Sequence, residues 1–170
     1  ILLNSFLLAF DPATSEVMDA LKRKQRAGVK IYVLVDSSSR HMPGGKEAFR
    51  FFDEAGIPMV EYNPLRIYKL IVAPIMMKRD HRKFWIVDGK TLFLGGANPF
   101  STSLNPPEKN GNRDFMVSVE SAEAIARMIE SFVATWNHYS RHDLKKESFR
   151  VRARRSEEHT SELQSRSDHV

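Results

Sequence analysis

One short segment of the sequence places a nucleophile, a cation and a carboxamide at fixed intervals. His81 and Lys83 are two residues apart, so on an extended strand their side chains would share one face. Gly95 and Gly96 would let the backbone approach a ligand closely, and Asn98 adds an amide donor. An imidazole that can attack, a positive charge and an amide beside a glycine pair predict a site for nucleophilic attack on a phosphate.

A β-hairpin is the element expected to carry this segment. Apolar residues alternate through residues 84–87 and 91–94, and the Asp88-Gly89 pair between them is typical of a two-residue hairpin turn. An aspartate at such a turn can bond the nearby backbone, so we interpret Asp88 as structural.

The same segment resembles the signature of the phospholipase D superfamily, His-x-Lys-x4-Asp-x6-Gly-Gly/Ser-x-Asn. Every fixed position is met, by His81, Lys83, Asp88, Gly95, Gly96 and Asn98. The residues around these positions are most similar to the bacterial cardiolipin synthase branch. The alternative is that the histidine and lysine are ordinary strand-surface residues beside a simple turn.

The resemblance implies a role for each matching position. His81 would attack phosphorus and form a phosphohistidine, which a second molecule then opens. Lys83 and Asn98 would bind the non-bridging phosphate oxygens, with Gly95 and Gly96 admitting the phosphate. Asp88 belongs to the catalytic signature by position, although its expected place is the turn. The resembled chemistry needs no cofactor, and no residue spacing here suggests a metal site.

A histidine nucleophile needs its second ring nitrogen oriented, usually by a carboxylate. The candidate is Asp114, at the start of the strand predicted after the signature. Cardiolipin-synthase-like proteins often carry Trp-Arg-Asp in this region, and Asn112 stands here at the tryptophan position. The alternative is a solvated aspartate paired with Arg113.

Composition limits the classes of partner. The chain has 170 residues, no cysteine and a net charge of +5. The absence of cysteine excludes disulfides and thiolate metal sites. A basic chain favours partners that carry phosphate, either lipid head groups or nucleic acid, and charge alone does not choose between them.

Strand and helix patterns alternate through residues 3–62, beginning with a buried strand over residues 3–10, which predicts a parallel core with helices on its faces. The hairpin follows, then a strand over 113–119 and an amphipathic helix that begins after Ser121. The expected fold is an α/β/α sandwich with a mixed, largely parallel central sheet.

The domain boundaries follow from the same patterns. Residues 1–150 are expected to form one phospholipase D-like catalytic domain, and residues 151–170 a disordered tail. Within the tail, residues 155–165 resemble the translation of a sequencing-adapter oligonucleotide, so we exclude them from fold reasoning. Residues 63–80 mix apolar and basic side chains, which indicates a membrane-facing loop or, preferably, a connection packed on a neighbouring half.

The sequence contains one copy of the signature, whereas the resembled family uses two copies that face each other. One histidine attacks and the other protonates the leaving oxygen. We therefore expect a fragment of a two-motif enzyme, with the second half in the same full-length chain, or else a homodimer.

The resemblance implies a cardiolipin-synthase-like phosphatidyltransferase that acts on phosphatidylglycerol. Its expected location is the cytoplasmic face of the bacterial cytoplasmic membrane, as a peripheral protein or anchored by segments outside this sequence. One alternative is a phosphodiesterase or homodimeric nuclease, for which nucleic acid would be a partner. A non-catalytic structural half is a third possibility, which the intact signature disfavours.

Overall fold

The fold is described by a computed structural model covering residues 1–64 and 78–152. The strands are β1 (Leu2–Ser5), β2 (Tyr32–Asp36), β3 (Met59–Tyr62), β4 (Phe84–Val87), β5 (Thr91–Gly95) and β6 (Met116–Val119). The helices are α1 (Ser15–Arg26), α2 (Gly45–Glu54), the single turn α3 (Ser101–Leu104) and α4 (Ala122–Tyr139).

The six strands form one sheet in the order β3-β2-β1-β4-β5-β6. The pairs β1–β2 and β2–β3 are parallel, while β1–β4, β4–β5 and β5–β6 are antiparallel. The predicted mixed sheet with flanking helices is confirmed. It is not largely parallel as predicted, because only β1, β2 and β3 pair in parallel. Only residues 88–90 join β4 to β5, and so short a connection permits only an antiparallel pair.

Helices cover both faces of the sheet because successive strand side chains point to opposite sides. Leu2 packs in one core with Phe84, against the apolar stripe of α4. Leu3 packs in the other core with Val33 and Val35, against α1 and α2. The α4 stripe predicted from the sequence is confirmed; its buried members are Ile125, Ile129, Phe132, Val133 and Trp136.

The hairpin turn forms as the sequence predicts. Asp88 and Gly89 both have positive φ angles, +54° and +63°, and the Lys90 N–H donates to Val87 O at 3.0 Å. These are the angles of a type I′ turn, whose twist matches that of the flanking strands. The chain returns to this turn at its other end, where the Arg152 N–H donates to Gly89 O at 2.7 Å.

Two strands are shorter than the sequence predicts. One is β6, which begins at Met116 rather than at residue 113, so that Asp114 precedes the strand. The other is the first strand. The predicted first strand ends at Ser5, because the Leu7 N–H donates to the Asn98 side chain instead of a neighbouring strand. β4 begins at Phe84, so the candidate residues His81 and Lys83 precede the strand.

Some expectations fall outside the described residues. These are the interpretation of residues 65–77 and the adapter-like stretch 155–165. Of the predicted tail, residues 151 and 152 are described, and Val151 packs against the α4-side core. Within the described ranges, no helix has both the length and the apolar character needed to cross a bilayer.

We predict that Gly89→Ala destabilises the chain more than Gly28→Ala does. Both glycines have positive φ, which costs an alanine about 1–2 kcal/mol. A Cβ at Gly28 meets nothing within 4 Å, whereas one at Gly89 would lie 2.0 Å from Arg150 O. Relief of that clash should cost a further ~1–3 kcal/mol, measurable as a lower urea midpoint. Equal losses for the two variants would show that the returning segment does not press on the turn.

Candidate active site

The Phe6 ring is the shared neighbour of the two leading candidates. It stacks on the His81 imidazole, with centroids 3.8 Å apart and planes 21° from parallel. Lys83 Nζ lies over the same ring, 5.2 Å from its centroid. The predicted common face for His81 and Lys83 therefore exists, although both precede β4. Extended backbone continues to Lys83, whose carbonyl accepts from the Gly95 N–H at 3.2 Å.

Asn98, which follows β5, contacts the two residues on either side of Phe6. Its Oδ1 accepts from the Leu7 N–H at 3.0 Å, and Ser5 Oγ lies 3.3 Å from that oxygen. A backbone N–H can only donate, which fixes the orientation of the carboxamide. The Asn98 Nδ2 is left without a hydrogen-bond partner in the described part of the chain, so it can donate to a ligand. Residues 5–7 thus contact His81, Lys83 and Asn98 together.

The Lys83 ammonium is partly desolvated and donates to His81 O at 2.6 Å. Desolvation lowers the pKa of Lys83 below its ordinary 10.5, while the charges of Asp114 and Asp80 act in the opposite direction. An ammonium carries three donors, so this one bond leaves others for an anion. Less water around the charge also strengthens its attraction to phosphate.

Asp114 lies against the glycine pair. A Cβ on Gly96 would stand 3.0 Å from Asp114 Oδ1, and one on Gly95 would stand 2.1 Å from Phe115 O. In this structure the glycines therefore admit the β6 backbone and the Asp114 carboxylate. The expected hydrogen bond from the His81 ring to the Asp114 carboxylate is not formed, and among the described residues no hydrogen bond holds the His81 ring. Asp114 instead acts through its charge on Lys83.

Asp88 is the one signature residue that the structure does not bring to this cluster. It is exposed in the hairpin turn, at the opposite end of β4 from Lys83. Five residues of extended chain separate the two by roughly 16 Å. The Asp88 charge acts on the amino group of Ile1, and its backbone shapes the turn.

Two charged residues that flank the histidine were missed in the sequence. Asp80 is buried and pairs with Arg82 at 2.6 Å, and its N–H donates to the fully buried Asp36 at 2.9 Å. The available signal was alternation: if His81 and Lys83 share one face, Asp80 and Arg82 must occupy the other. Phe6 gave no such signal, because its contact depends on how β1 ends.

A metal centre has no support in the described ranges, which contain no group of three or more His, Cys, Asp or Glu able to hold an ion. The arrangement offers instead an exposed imidazole and an ammonium against Phe6, and a free amide donor on Asn98, which contacts the adjacent residues Ser5 and Leu7.

Comparison with known proteins gives consistent matches. The family model described as "Cardiolipin synthase, PLD-like domain" matches residues 2–136. Minor cardiolipin synthase ClsB of Bacillus subtilis is 32% identical over 108 residues, covering 63% of this chain and 26% of that protein. Major cardiolipin synthase ClsA of the same organism is 30% identical over 145 residues, covering 82% of this chain and 28% of its own length. The chain thus spans under a third of these relatives.

A solved structure shares the fold. Nuc from Salmonella typhimurium, described as a phospholipase D family member, superposes with a TM-score of 0.61 at 19% identity. The match covers 84% of this chain and 80% of that one.

We predict that Asp114→Asn lowers the pKa of Lys83 further. The substitution removes a negative charge that favours the ammonium, while the desolvation that disfavours it stays. Lys83 should then lose its proton at a lower pH than in the parent protein, as measured by NMR titration of selectively labelled lysine. Asp88→Asn is the matched control and should leave this titration unchanged. A Lys83 pKa that stays constant or rises in Asp114→Asn would contradict the geometry.

Proposed function

Because the chain belongs to the cardiolipin synthase, PLD-like domain family, we propose that it is one catalytic half of a phosphatidyltransferase with a phosphohistidine intermediate. One observation supports the proposal: residues 5–7 contact all three candidates, because Phe6 lies against His81 and Lys83 and Leu7 binds the Asn98 oxygen, which leaves the Asn98 amide free. A nucleophile beside two donors for anionic oxygens is what transfer of a phosphoryl-type group requires.

In the first step, the neutral His81 imidazole attacks the phosphorus of phosphatidylglycerol. The bond from phosphorus to the glycerol oxygen breaks, glycerol leaves with a proton from a general acid, and phosphatidyl-His81 remains. In the second step, the group that protonated glycerol takes the proton from the hydroxyl of a second phosphatidylglycerol as this oxygen attacks phosphorus. The phosphorus–nitrogen bond breaks, which forms cardiolipin and frees His81. The exposure of His81 supports this role, because a nucleophile must be reachable.

Lys83 and Asn98 stabilise the charge that grows on the non-bridging oxygens. The partly desolvated Lys83 ammonium acts as a point charge, and the Asn98 amide donates one directed hydrogen bond to a phosphate oxygen. Asn98 is held in advance by Leu7, so it needs no reorganisation as the transition state forms. Gly95 and Gly96 contribute because, without a Cβ, they let the β6 backbone and the Asp114 carboxylate lie close to the site.

The general acid comes from a second half of the same kind. This chain carries one copy of the signature, and it spans only 26% and 28% of the two cardiolipin synthases named above. A second signature elsewhere in a longer chain would supply the proton to the leaving glycerol. A homodimer would meet the same requirement with two copies of this site.

The substrates place the reaction at a membrane surface. We assign the phosphatidylglycerol-bearing cytoplasmic face of the bacterial cytoplasmic membrane, to which the chain would bind peripherally or through segments beyond it. The net charge of +5 supports this, since basic surfaces are attracted to anionic lipid head groups.

A second candidate is a phosphodiesterase that uses water as acceptor, on phospholipid or nucleic acid. The supporting observation is that the fold spans 80% of Nuc, a chain of comparable length within the phospholipase D family. A dimer of one-motif chains would then form the complete site, and the basic charge would favour a polyanionic substrate.

We predict that His81→Ala in the full-length protein abolishes turnover, with a loss of more than about a thousand-fold, because no other group replaces the nucleophile. The assay follows glycerol release and cardiolipin formation from phosphatidylglycerol liposomes. His41→Ala, at an exposed loop histidine, is the matched control and should keep parental activity.

Retention of activity in His81→Ala would refute the nucleophile. Glycerol released without cardiolipin would favour water as the acceptor. Plasmid cleavage by a dimer of the parental protein, with no glycerol release from liposomes, would favour the nucleic acid alternative.

A further inference from the structure

Buried side chains, rather than a strand ladder, hold the backbone that carries His81. On one side, the Asp80 N–H donates to Asp36 Oδ2 at 2.9 Å. On the other, Asn4 Nδ2 donates to Arg82 O at 2.9 Å. Asp36 and Asn4 are almost completely buried at the ends of β2 and β1. The nucleophile therefore sits on a short bridge whose two ends are anchored in the core.

The Arg82 side chain extends this anchorage to α4. Its Nε and one terminal nitrogen bind both oxygens of Asp80, at 2.8 and 2.6 Å. The remaining contacts go to hydroxyls four residues apart on α4, Ser131 Oγ at 2.5 Å and Thr135 Oγ1 at 3.0 Å. Residues so spaced share one helix face, and the planar guanidinium fits a carboxylate and two hydroxyls at once.

We propose that Arg82 is a positioning residue that fixes the His81 imidazole and the Lys83 ammonium relative to α4. The inference rests on the proposed function for its catalytic consequence. Arg82 lies between the two side chains in sequence and points to the opposite face. Both its carbonyl and its guanidinium are held by other parts of the fold, so displacement of Arg82 would move both neighbours, and with them the stacking of His81 on Phe6.

The competing explanation is that the Asp80–Arg82 pair only stabilises the fold. Loss of the pair's contacts would lower the free energy of unfolding under either explanation, so a stability measurement alone does not separate the two. The two differ in what happens to His81 when the helix end of the network is cut but the ion pair is kept. Only positioning predicts that the imidazole then moves.

Two variants keep the Asp80 charge paired while loosening the link to α4. Arg82→Lys keeps the positive charge but lacks the fork, and the double variant Ser131→Ala with Thr135→Val removes both acceptors. The matched control is Arg127→Lys, whose parent arginine pairs with Glu123 on the exposed side of the same helix at 2.8 Å. Far-UV circular dichroism and cooperative thermal unfolding establish that each variant folds; if the double variant does not, Ser131→Ala alone replaces it.

The primary readout is independent of activity. In the full-length protein with labelled histidine, the Phe6 ring current should shift the His81 ring protons upfield, and His81→Ala identifies their signals. Arg82→Lys and the double variant should lose a large part of this shift, while Arg127→Lys keeps it. The second readout is kinetic: kcat should fall roughly 10- to 100-fold, with KM changed less than about twofold.

Unchanged His81 shifts in both folded variants would overturn the proposal, whatever the kinetics. Lost shifts together with a kcat effect support it fully. Lost shifts in a protein whose parental form turns over neither lipid nor nucleic acid would support positioning and refute the proposed function instead.

Discussion

The hydrogen bond from the Leu7 N–H to the Asn98 carboxamide is the interaction on which the site depends. It ends β1 after Ser5, because the main chain turns to a side-chain acceptor instead of continuing its ladder. The turn brings Phe6 against the His81 ring. The same bond fixes which end of the carboxamide faces outward and leaves Nδ2 as a donor. One contact thus couples the end of a buried strand to the arrangement of the proposed nucleophile, His81, and the proposed anion-binding groups, Lys83 and Asn98.

The charged residues around the site fall into two groups, those held in buried ion pairs and Lys83, which is in no ion pair among the described residues. Asp36 and Asp80 are buried. Arg79 pairs with Asp36 and Arg82 pairs with Asp80, which avoids the large free-energy cost of an unpaired buried charge. Lys83 has no such partner in bonding distance among the described residues; it is partly desolvated and only influenced by nearby carboxylates. Its charge therefore remains available to an incoming phosphate, while the paired charges hold the backbone in place.

Local patterns predicted the hairpin, its Asp88-Gly89 turn and the α4 helix, because each depends on residues close in sequence. The alternation of strand and helix patterns along the chain likewise predicted helices on both faces of the sheet. The antiparallel pairings β1–β4 and β5–β6 and the short first strand were not predictable locally, since they depend on contacts across the fold. Within the site, the shared face of His81 and Lys83 followed from their spacing. Three contacts join residues distant in sequence and could be seen only in the tertiary structure. They are the stacking of Phe6 on His81, the hydrogen bonds of Arg82 to α4 and the position of Asp114 beside Gly96.

The central claim is that His81, Lys83 and Asn98 meet around one phosphorus atom. The most direct measurement is a crystal structure of the full-length protein with orthovanadate, which adopts the five-coordinate geometry of phosphoryl transfer. The account predicts vanadium bonded to a ring nitrogen of His81, with Lys83 Nζ and Asn98 Nδ2 about 2.7–3.2 Å from its oxygens. Vanadate bound away from His81, or at His81 with either donor turned away, would contradict it.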